Sequence, residues 1–585
     1  MRSTEDLNSE FSLRTFFSNL RKKRIIEILA AFIGGGWLLI EVVERLFVSH
    51  YHFPEKTIDI TVVTLIAALL CTLLWRWFSG REKPRKFKLE LILIPLVVLI
   101  TVLLDINLLL HLKGREPETF PAGQGKKSVA VLPFVDMSAQ KDQEYFCDGM
   151  TEELINRLSN IRELKVPART SAFMYKGKSQ DIREIGRKLG VGTVVEGSIR
   201  KAGDQLRVTA QLVNIADGYH IWSETYDREL KDVFAIQDEI AQAIASALKI
   251  TLMGEKEAAL VKSYTTNLEA YNLYLQGRYF WNKRTEEGIR ESLRFFKKAI
   301  DEDPDYALAY VGLADTYIML AEYELFPPQE VYPKARQAAL RALEIDEGLG
   351  DAHVSMAMVK RDYDWDWRGS ESEFKKAIEL KPNYPVAHQW YAEYLANVGR
   401  FEEAFVELKR AQDLDPLSLV NYAVSGTFVY MQARRYDLAI AQCQKAIDLD
   451  SDYAAAYLLR ALVFIRQKKP ERALQDIRQT ADITPMLPRA LAMLAETHAL
   501  AGRGSEARKM LAELISQSDR KYISPILIAG IYNALGETDE VFHWLTKGFE
   551  ERAYWLIYLN SSPEYDSLRS DPRFRELVQK IGPGK

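Results

Sequence analysis

Residues 383–416 read NYPVAHQWYAEYLANVGRFEEAFVELKRAQDLDP. Two helices are visible in the stretch. Val386, Trp390, Tyr391, Tyr394 and Leu395 fall at helical spacing and end at Gly399; Phe401, Ala404, Phe405, Leu408 and Ala411 follow and end before Pro416. The pattern returns along the chain. Pro382 and Pro416 are 34 apart, as are Ala377 and Ala411. Ala404, Ala439, Ala473 and Ala507 step by 35, 34 and 34, and Ala392, Gly426, Ala461, Ala495 and Ala529 step by 34, 35, 34 and 34. One such hairpin cannot bury its apolar face alone, so the repeats must stack, and small residues let neighbouring helices approach.

A fixed period near 34 with paired helices is the signature of tetratricopeptide repeats. About eight pairs are expected over 267–551, from Leu268 to Glu551, with a polar-faced closing segment over 552–585. The segment Glu324–Lys334 lengthens the second repeat and is a candidate contact loop. The frequent tyrosines and tryptophans at helical spacing read as packing between helices. The functional surface of such an array is the concave face lined by first helices. Candidates for partner contact on it are Asn272, Gln276, His388, Gln389, Asn421, Arg460 and His498.

A chain of 585 residues exceeds one domain. A net charge of −4 gives no general reason to expect a nucleic-acid partner. Three cysteines, Cys71, Cys147 and Cys443, lie far apart, which excludes a zinc ribbon or a C-x-x-C redox motif, and no disulfide is expected.

Residues 1–24 read as a cytoplasmic segment. Three apolar runs follow within 25–112, at about Ile25–Val48, Ile58–Phe78 and Leu89–Leu112, each long enough for a transmembrane helix. Basic residues cluster before the first run and between the second and third, which puts the N-terminus in the cytoplasm and everything after Leu112 outside it. The expected location is therefore a bacterial inner membrane, multi-pass, with the C-terminal domains periplasmic. Asp105 is the most isolated charge in these runs, and Ala30/Gly34 and Ala31/Gly35 offer small-residue faces for packing within the chain or for homo-oligomerisation. Residues 113–127 read as a linker.

Residues 128–254 alternate strand and helix signals. SVAVLPF, Leu164–Pro167, Thr193–Arg200, Gln205–Asn214 and Tyr219–Tyr226 read as strands. Helices are expected after a Thr151 cap, over Asp181–Leu189, and from Phe234 to Leu248. The blocks SVAVLPF, YFCDGMTEELINRLS, IGRKLGVGTVVEGSIR and VTAQLVNIADGYHIWSETYDREL resemble the TolB-like N-terminal domain family, related to FlgO-like domains. The resemblance implies a membrane-anchored protein joining a TolB-like domain to tetratricopeptide repeats, and it brings no catalytic residues. Asp148-Gly149 and Gly190-x-Gly192 match neither a dinucleotide fingerprint nor a P-loop and read as turn glycines. Arg169-Thr170-Ser171 reads as loop hydrogen bonding ahead of an anion site, and His220 stands alone.

The expected fold class is thus multidomain: a transmembrane α-helical anchor, a small α/β domain and an all-α solenoid. The expected function is a non-enzymatic scaffold or sensor that binds a peptide or protein, with no catalytic residue, metal, cofactor or nucleic acid. The alternative is a regulatory component of a signalling system, cyclase-like or transcription-regulator-like in architecture. With 24 residues before the first run and the rest assigned, no cyclase or DNA-binding domain is expected.

Overall fold

The computed structural model describes residues 127–250 and 264–582, except 162 and 486, together with residue 69. Among the described residues no helix is long and apolar enough to cross a membrane. The fold is a helical solenoid with a small α/β region. This corrects the expected fold class, which began with a three-span anchor, and with it the expected inner-membrane, periplasmic address. The runs at 25–112, Asp105, the small-residue faces and Cys71 lie outside the described residues, Leu69 apart.

The α/β region begins with β1 (Lys127–Val131), β2 (Val135–Asp136) and α1 (Glu144–Ser159), then β3 (Leu164–Lys165), α2 (Arg169–Phe173) and α3 (Ile182–Leu189). It ends with β4 (Thr193–Ala202), β5 (Gln205–Asn214), β6 (His220–Glu229) and α4 (Val233–Ala247). The sheet order is β3-β1-β4-β5-β6, with β2 also on β4. β1 runs parallel to β3 and β4, while β4, β5 and β6 form an antiparallel meander. Asp181 caps α3 through its side chain and Gly190 ends it in the left-handed region.

The expected Thr151 cap is corrected. α1 starts at Glu144, and Thr151 lies inside it, where its Oγ1 donates to the Cys147 carbonyl (2.8 Å) and accepts from the Phe134 amide (3.0 Å). Gly149 is likewise no turn glycine. It sits within α1, and a Cβ there would lie 2.5 Å from Leu275 Cδ2.

The helical region forms eight hairpins among the described residues: α5/α6 (Leu268–Asn282, Glu286–Glu302), α7/α8 (Ala307–Glu322, Pro328–Ile345), α9/α10 (Gly350–Val359, Trp367–Leu380) and α11/α12 (Pro385–Asn397, Phe401–Leu414). Then come α13/α14 (Thr427–Gln432, Tyr436–Leu449), α15/α16 (Ala454–Arg466, Pro470–Ile483), α17/α18 (Pro488–Leu500, Gly504–Gln517) and α19/α20 (Pro525–Leu535, Thr538–Glu550). Wider π-turns extend α9 over Lys360–Asp364 and precede α13 over Val420–Gly426. The periodic Ala314, Ala357, Ala392, Ala461, Ala495 and Ala529 are fully buried, which is why the period shows in small residues. Each hairpin turns on one residue with positive φ: Arg284, Glu324, Trp365, Gly399, Arg434, Lys468, Gly502 and Gly536. In six of the eight the following amide bonds back five residues, as Arg400 to Leu395 and Lys469 to Phe464, closing the C-terminal carbonyls of the first helix. Most of Glu324–Lys334 is helix, because α8 starts at Pro328.

The α/β region and the first hairpin share one core. Met150, Leu154 and Leu158 of α1 and Ile236 and Ile240 of α4 join Ala270, Tyr271 and Tyr274 of α5. Gln237 donates to the Tyr271 hydroxyl at 2.6 Å. Around the seam Arg278 meets Glu152 (2.6 Å), Arg169 meets Glu152 (3.0 Å) and Lys176 meets Asp148 (2.7 Å). Burial pushes the Glu152 carboxyl up, but Arg278 and Arg169 outweigh it and hold it below the usual range. Farther on, Asp415 accepts from the Ser171 amide (3.0 Å), Ser171 Oγ accepts from the Leu417 amide (2.8 Å), and Ala168 donates to the Leu414 carbonyl (3.1 Å). Arg169 and Ser171 are therefore committed to internal partners, in a short helix instead of a loop.

Candidate functional site: the inner face of the solenoid

In chain order, the residues after the periodic small residue are Arg278, Asp315, Met358, Glu393, Thr427, Leu462, Glu496 and Gly530. Of these, Glu393 and Gly530 lie against the chain beyond α20, while Thr427 bonds to Cys443 of its paired helix. The side of the first helices that this tail covers is the inner face. Residues 552–582 form two 3₁₀ turns, Tyr554–Tyr558 and Pro563–Leu568, and α21 (Pro572–Ile581). Tyr554, Leu556, Ile557, Tyr558 and Leu559 are buried. The expected polar-faced cap is thus corrected: the tail is an apolar, aromatic segment folded back onto the hairpins.

Its contacts define the face. Trp555 Nε1 donates to Glu324 of the second hairpin (3.1 Å), and Arg489 of the seventh lies 4.2 Å from the Trp555 ring centroid. Arg552 donates to the Tyr363 carbonyl of the third (2.9 Å). The Tyr558 hydroxyl donates to Glu393 of the fourth (3.2 Å), and its ring stacks on Phe428 of the fifth at 5.2 Å. Glu564 pairs with Arg466 of the sixth (2.6 Å), which also holds Glu496 of the seventh (3.0 Å). Arg489 also reaches Glu324 (3.5 Å), so the seventh hairpin meets the second and the stack closes a turn.

Enclosure makes this face unusually polar for a buried surface. Arg361 and Asp362 are fully buried and paired at 2.5 Å. Burial pushes the carboxyls of Glu322 and Glu393 up, the first well above its ordinary value. Asp315 is pushed up to about 6 by burial, against the Ser355 hydrogen bond (2.6 Å) and the Arg278 charge. Several buried atoms have no hydrogen-bond partner among the described residues: Glu322 Oε1, Trp365 Nε1, Gln467 Oε1, and both amide atoms of Asn397 and Gln432. Buried polar groups normally find partners, so each of these atoms is left idle at a cost in stability.

The residues singled out from sequence scatter. His388 is buried, its Nδ1 2.5 Å from Glu407 of the paired helix and its Nε2 3.0 Å from the Pro382 carbonyl. Asn421 is buried in a π-turn and donates to the Ala411 carbonyl (3.3 Å). Arg460 pairs with Asp476 (2.7 Å) and donates to Gln444 (2.6 Å). Gln389 is buried; Asn272, Gln276 and His498 are half-buried, with Asn272 Oδ1 and His498 Nδ1 unpaired among the described residues. The structure does not gather these seven into one site. His388, Asn421 and Arg460 tie helices together. Sequence reasoning missed Glu322, Arg361, Asn397 and Gln432, which sit near the ends of first helices, where a polar residue reads as a solvated terminus. The signal that could have found them is the run AYWLIYL at 553–559, too apolar for a cap.

Cys147 and Cys443 are buried free thiols, both pushed up to about 12 by burial. Among the described residues no group of three or more His, Cys, Asp or Glu could hold a metal ion.

Residues 125–243 match the family described as HilA/YgeH-like transcriptional regulator, second domain, and 373–405 match a tetratricopeptide repeat. The α/β region is thus matched to that second domain; its TolB-like, FlgO-like resemblance is not shown. A relative called "Putative adenylate cyclase 3" from Rhizobium meliloti is 35% identical over 254 residues, covering 42% of this chain and 43% of the relative. "Transcriptional regulator HilA" of Salmonella typhimurium is 23% identical over 292 residues, covering 49% of this chain and 51% of the relative. The chain therefore spans about half, or less, of these curated relatives. Among solved structures, one of Pseudomonas aeruginosa pilF is 19% identical, with a TM-score of 0.28 over 39% of this chain and 96% of that one. A tetratricopeptide repeat protein from Parabacteroides merdae is 12% identical, with a TM-score of 0.34 over 46% of this chain and 99% of that one. The chain contains tetratricopeptide repeats, joined to an α/β region similar to the second domain of HilA/YgeH-like regulators.

Proposed function

We propose that the chain is a protein-interaction scaffold whose inner solenoid face holds a segment of a partner protein. One observation carries the reading: that face already accommodates a peptide segment, residues 552–568, through aromatic sockets and a hydrogen bond to Glu393. Side-chain sockets with a few fixed polar groups are what peptide recognition on a solenoid requires. The test is photo-crosslinking in cells with benzoylphenylalanine at Gln467, next to the tail-contacting Arg466, against Val406, on an exposed second helix. A discrete protein adduct from 467 and none from 406 supports the reading; the same pattern from both, or none, refutes it.

A second reading is favoured by the relatives' names. An adenylate cyclase-like and a HilA-like protein both share part of this chain, so the partner would belong to a signalling or transcription system. Recovery of a cyclase or a DNA-binding regulator at 467 would decide for it.

A further inference from the structure

We propose that residues 552–568 are an internal mimic of the partner: the inner groove recognises an aromatic, carboxylate-bearing peptide, and the tail must leave before such a peptide enters. This rests on the scaffold reading above and names the ligand's chemistry.

Three features of the groove are fitted to a segment of that kind. Tyr558 is read twice, by Phe428 on its ring and by Glu393 on its hydroxyl. Trp555 is read by the Arg489 guanidinium on its face and by Glu324 at its Nε1. The carboxylate of Glu564 is read by Arg466, and the eighth hairpin makes room for it. At the position where earlier hairpins carry Arg278, Asp315, Glu393 or Glu496, the eighth has Gly530, and a Cβ there would lie 2.7 Å from Glu564 Oε1 and 2.7 Å from Glu496 Oε1. The fit is one of side chains into sockets.

The tail is also an incomplete ligand. Asn397 and Gln432 are the last residues of their first helices, as Arg466 is of its own, at steps of 432 − 397 = 35 and 466 − 432 = 34. Arg466 reaches the tail. Asn397 and Gln432, 2% and 3% exposed, have no partner for any of their four amide atoms among the described residues. An amide offers donors and an acceptor in one plane, which matches the N–H and C=O of an extended main chain. A partner segment that keeps the Tyr, Trp and carboxylate seats and lays its main chain along these two amides pairs what the tail leaves unpaired. That surplus is what lets it compete with a tethered segment of high effective concentration.

The test uses the full chain and a fluorescein-labelled synthetic peptide of residues 552–568. The tail is undocked by Trp555→Ser, Tyr558→Ser and Glu564→Lys together, which leaves the groove wall intact. The peptide is expected to bind this variant at least tenfold more tightly than wild type, and a peptide carrying the same three substitutions is expected to bind neither. Hydrogen exchange on the wild-type chain keeps the proposal falsifiable should the variant misfold: amides of 554–568 should open before those of Phe401–Leu414. Equal affinity for both chains, or tail amides that exchange only with the whole solenoid, overturns the proposal. If the peptide arms behave as expected while crosslinking at 467 recovers nothing, the tail's docking stands and the scaffold reading falls. Crosslinks at 467 without peptide binding uphold the scaffold reading and overturn the mimic.

Discussion

The contact between Gly149 and Leu275 offers a sharp probe of whether the α/β region and the solenoid fold as one body. A Cβ on Gly149 would meet Leu275 Cδ2, Cδ1 and Cγ at 2.5, 2.6 and 2.8 Å, and Leu275 is 2% exposed, so its side chain has no solvent to turn into. Gly149→Val gains a few tenths of a kcal/mol in helix propensity over glycine. Forcing the extra carbons into a filled contact costs about 1–3 kcal/mol, so overpacking wins and the variant should be destabilised. Leu275→Ala alone should cost about 2–5 kcal/mol through its cavity. In the double variant the valine occupies space the leucine vacates, so the cost should fall short of the sum by about 1–3 kcal/mol. Urea unfolding followed by circular dichroism measures all four corners of the cycle. Hydrogen exchange should report losses in α1 and α5 together, since both belong to one core. Additive costs, or a Gly149→Val chain as stable as wild type, would refute the shared core.

Other consequences can be measured directly. Asp415→Ala strands the Ser171 amide and hydroxyl in a buried seam and should cost about 2–4 kcal/mol, read as faster exchange over 168–173. Lys468 holds a left-handed φ of 55° on an exposed turn, so Lys468→Gly should stabilise by about 0.5–1 kcal/mol in thermal unfolding. Arg434→Gly relieves the same turn strain but loses the contacts to Asp566 (2.8 Å) and the Ser561 carbonyl (2.7 Å), so it should gain less. The Asp315 carboxyl is pushed up to about 6, above its ordinary 3.8, so the folded chain holds a proton the unfolded chain has released; its contribution is favourable at low pH and is lost as pH rises through about 6. Asp315→Asn should therefore raise Tm at pH 7.5 more than at pH 4.5. Cys147 and Cys443 should resist maleimide at pH 8 until urea unfolds the chain, as peptide mass mapping would show.

The stacking of the solenoid was legible because it is local. Each hairpin repeats the same close approach, and the small residues that permit it recur with the hairpin. The α3 ending at Gly190 and the β4–β5 hairpin were legible for the same reason: cap and turn are written in adjacent residues. The start of α1 was not, because Thr151 looks like a cap and nothing nearby announces that its hydroxyl serves the Phe134 amide instead. Nor was the seam, where Asn383 and Asp415 meet backbone groups more than 200 residues earlier. The seven residues chosen for the groove are not gathered into one site, because spacing places a residue on a helix but does not say which side its neighbours cover. His388 and Arg460 face the next helix, where Glu407 and Asp476 wait.

Closure of the turn changes what the inner face is. With Arg489 against Glu324, the first helices of successive hairpins enclose the tail, and the groove becomes a core by burial. A core is cheapest when apolar: replacing a buried ion pair by well-packed hydrophobic side chains is often neutral or stabilising. This one instead holds Arg361–Asp362, the Arg466–Glu496–Glu564 group, Glu322, and two amides with every polar atom unpaired. Each unpaired atom costs about 1–3 kcal/mol relative to a satisfied one. Packing alone does not account for a wall so furnished, since the hairpins already bury their own faces through alanines and aromatics one helix away. A wall that exchanges one occupant for another does account for it, because the groups left idle by the first occupant are those the second would use.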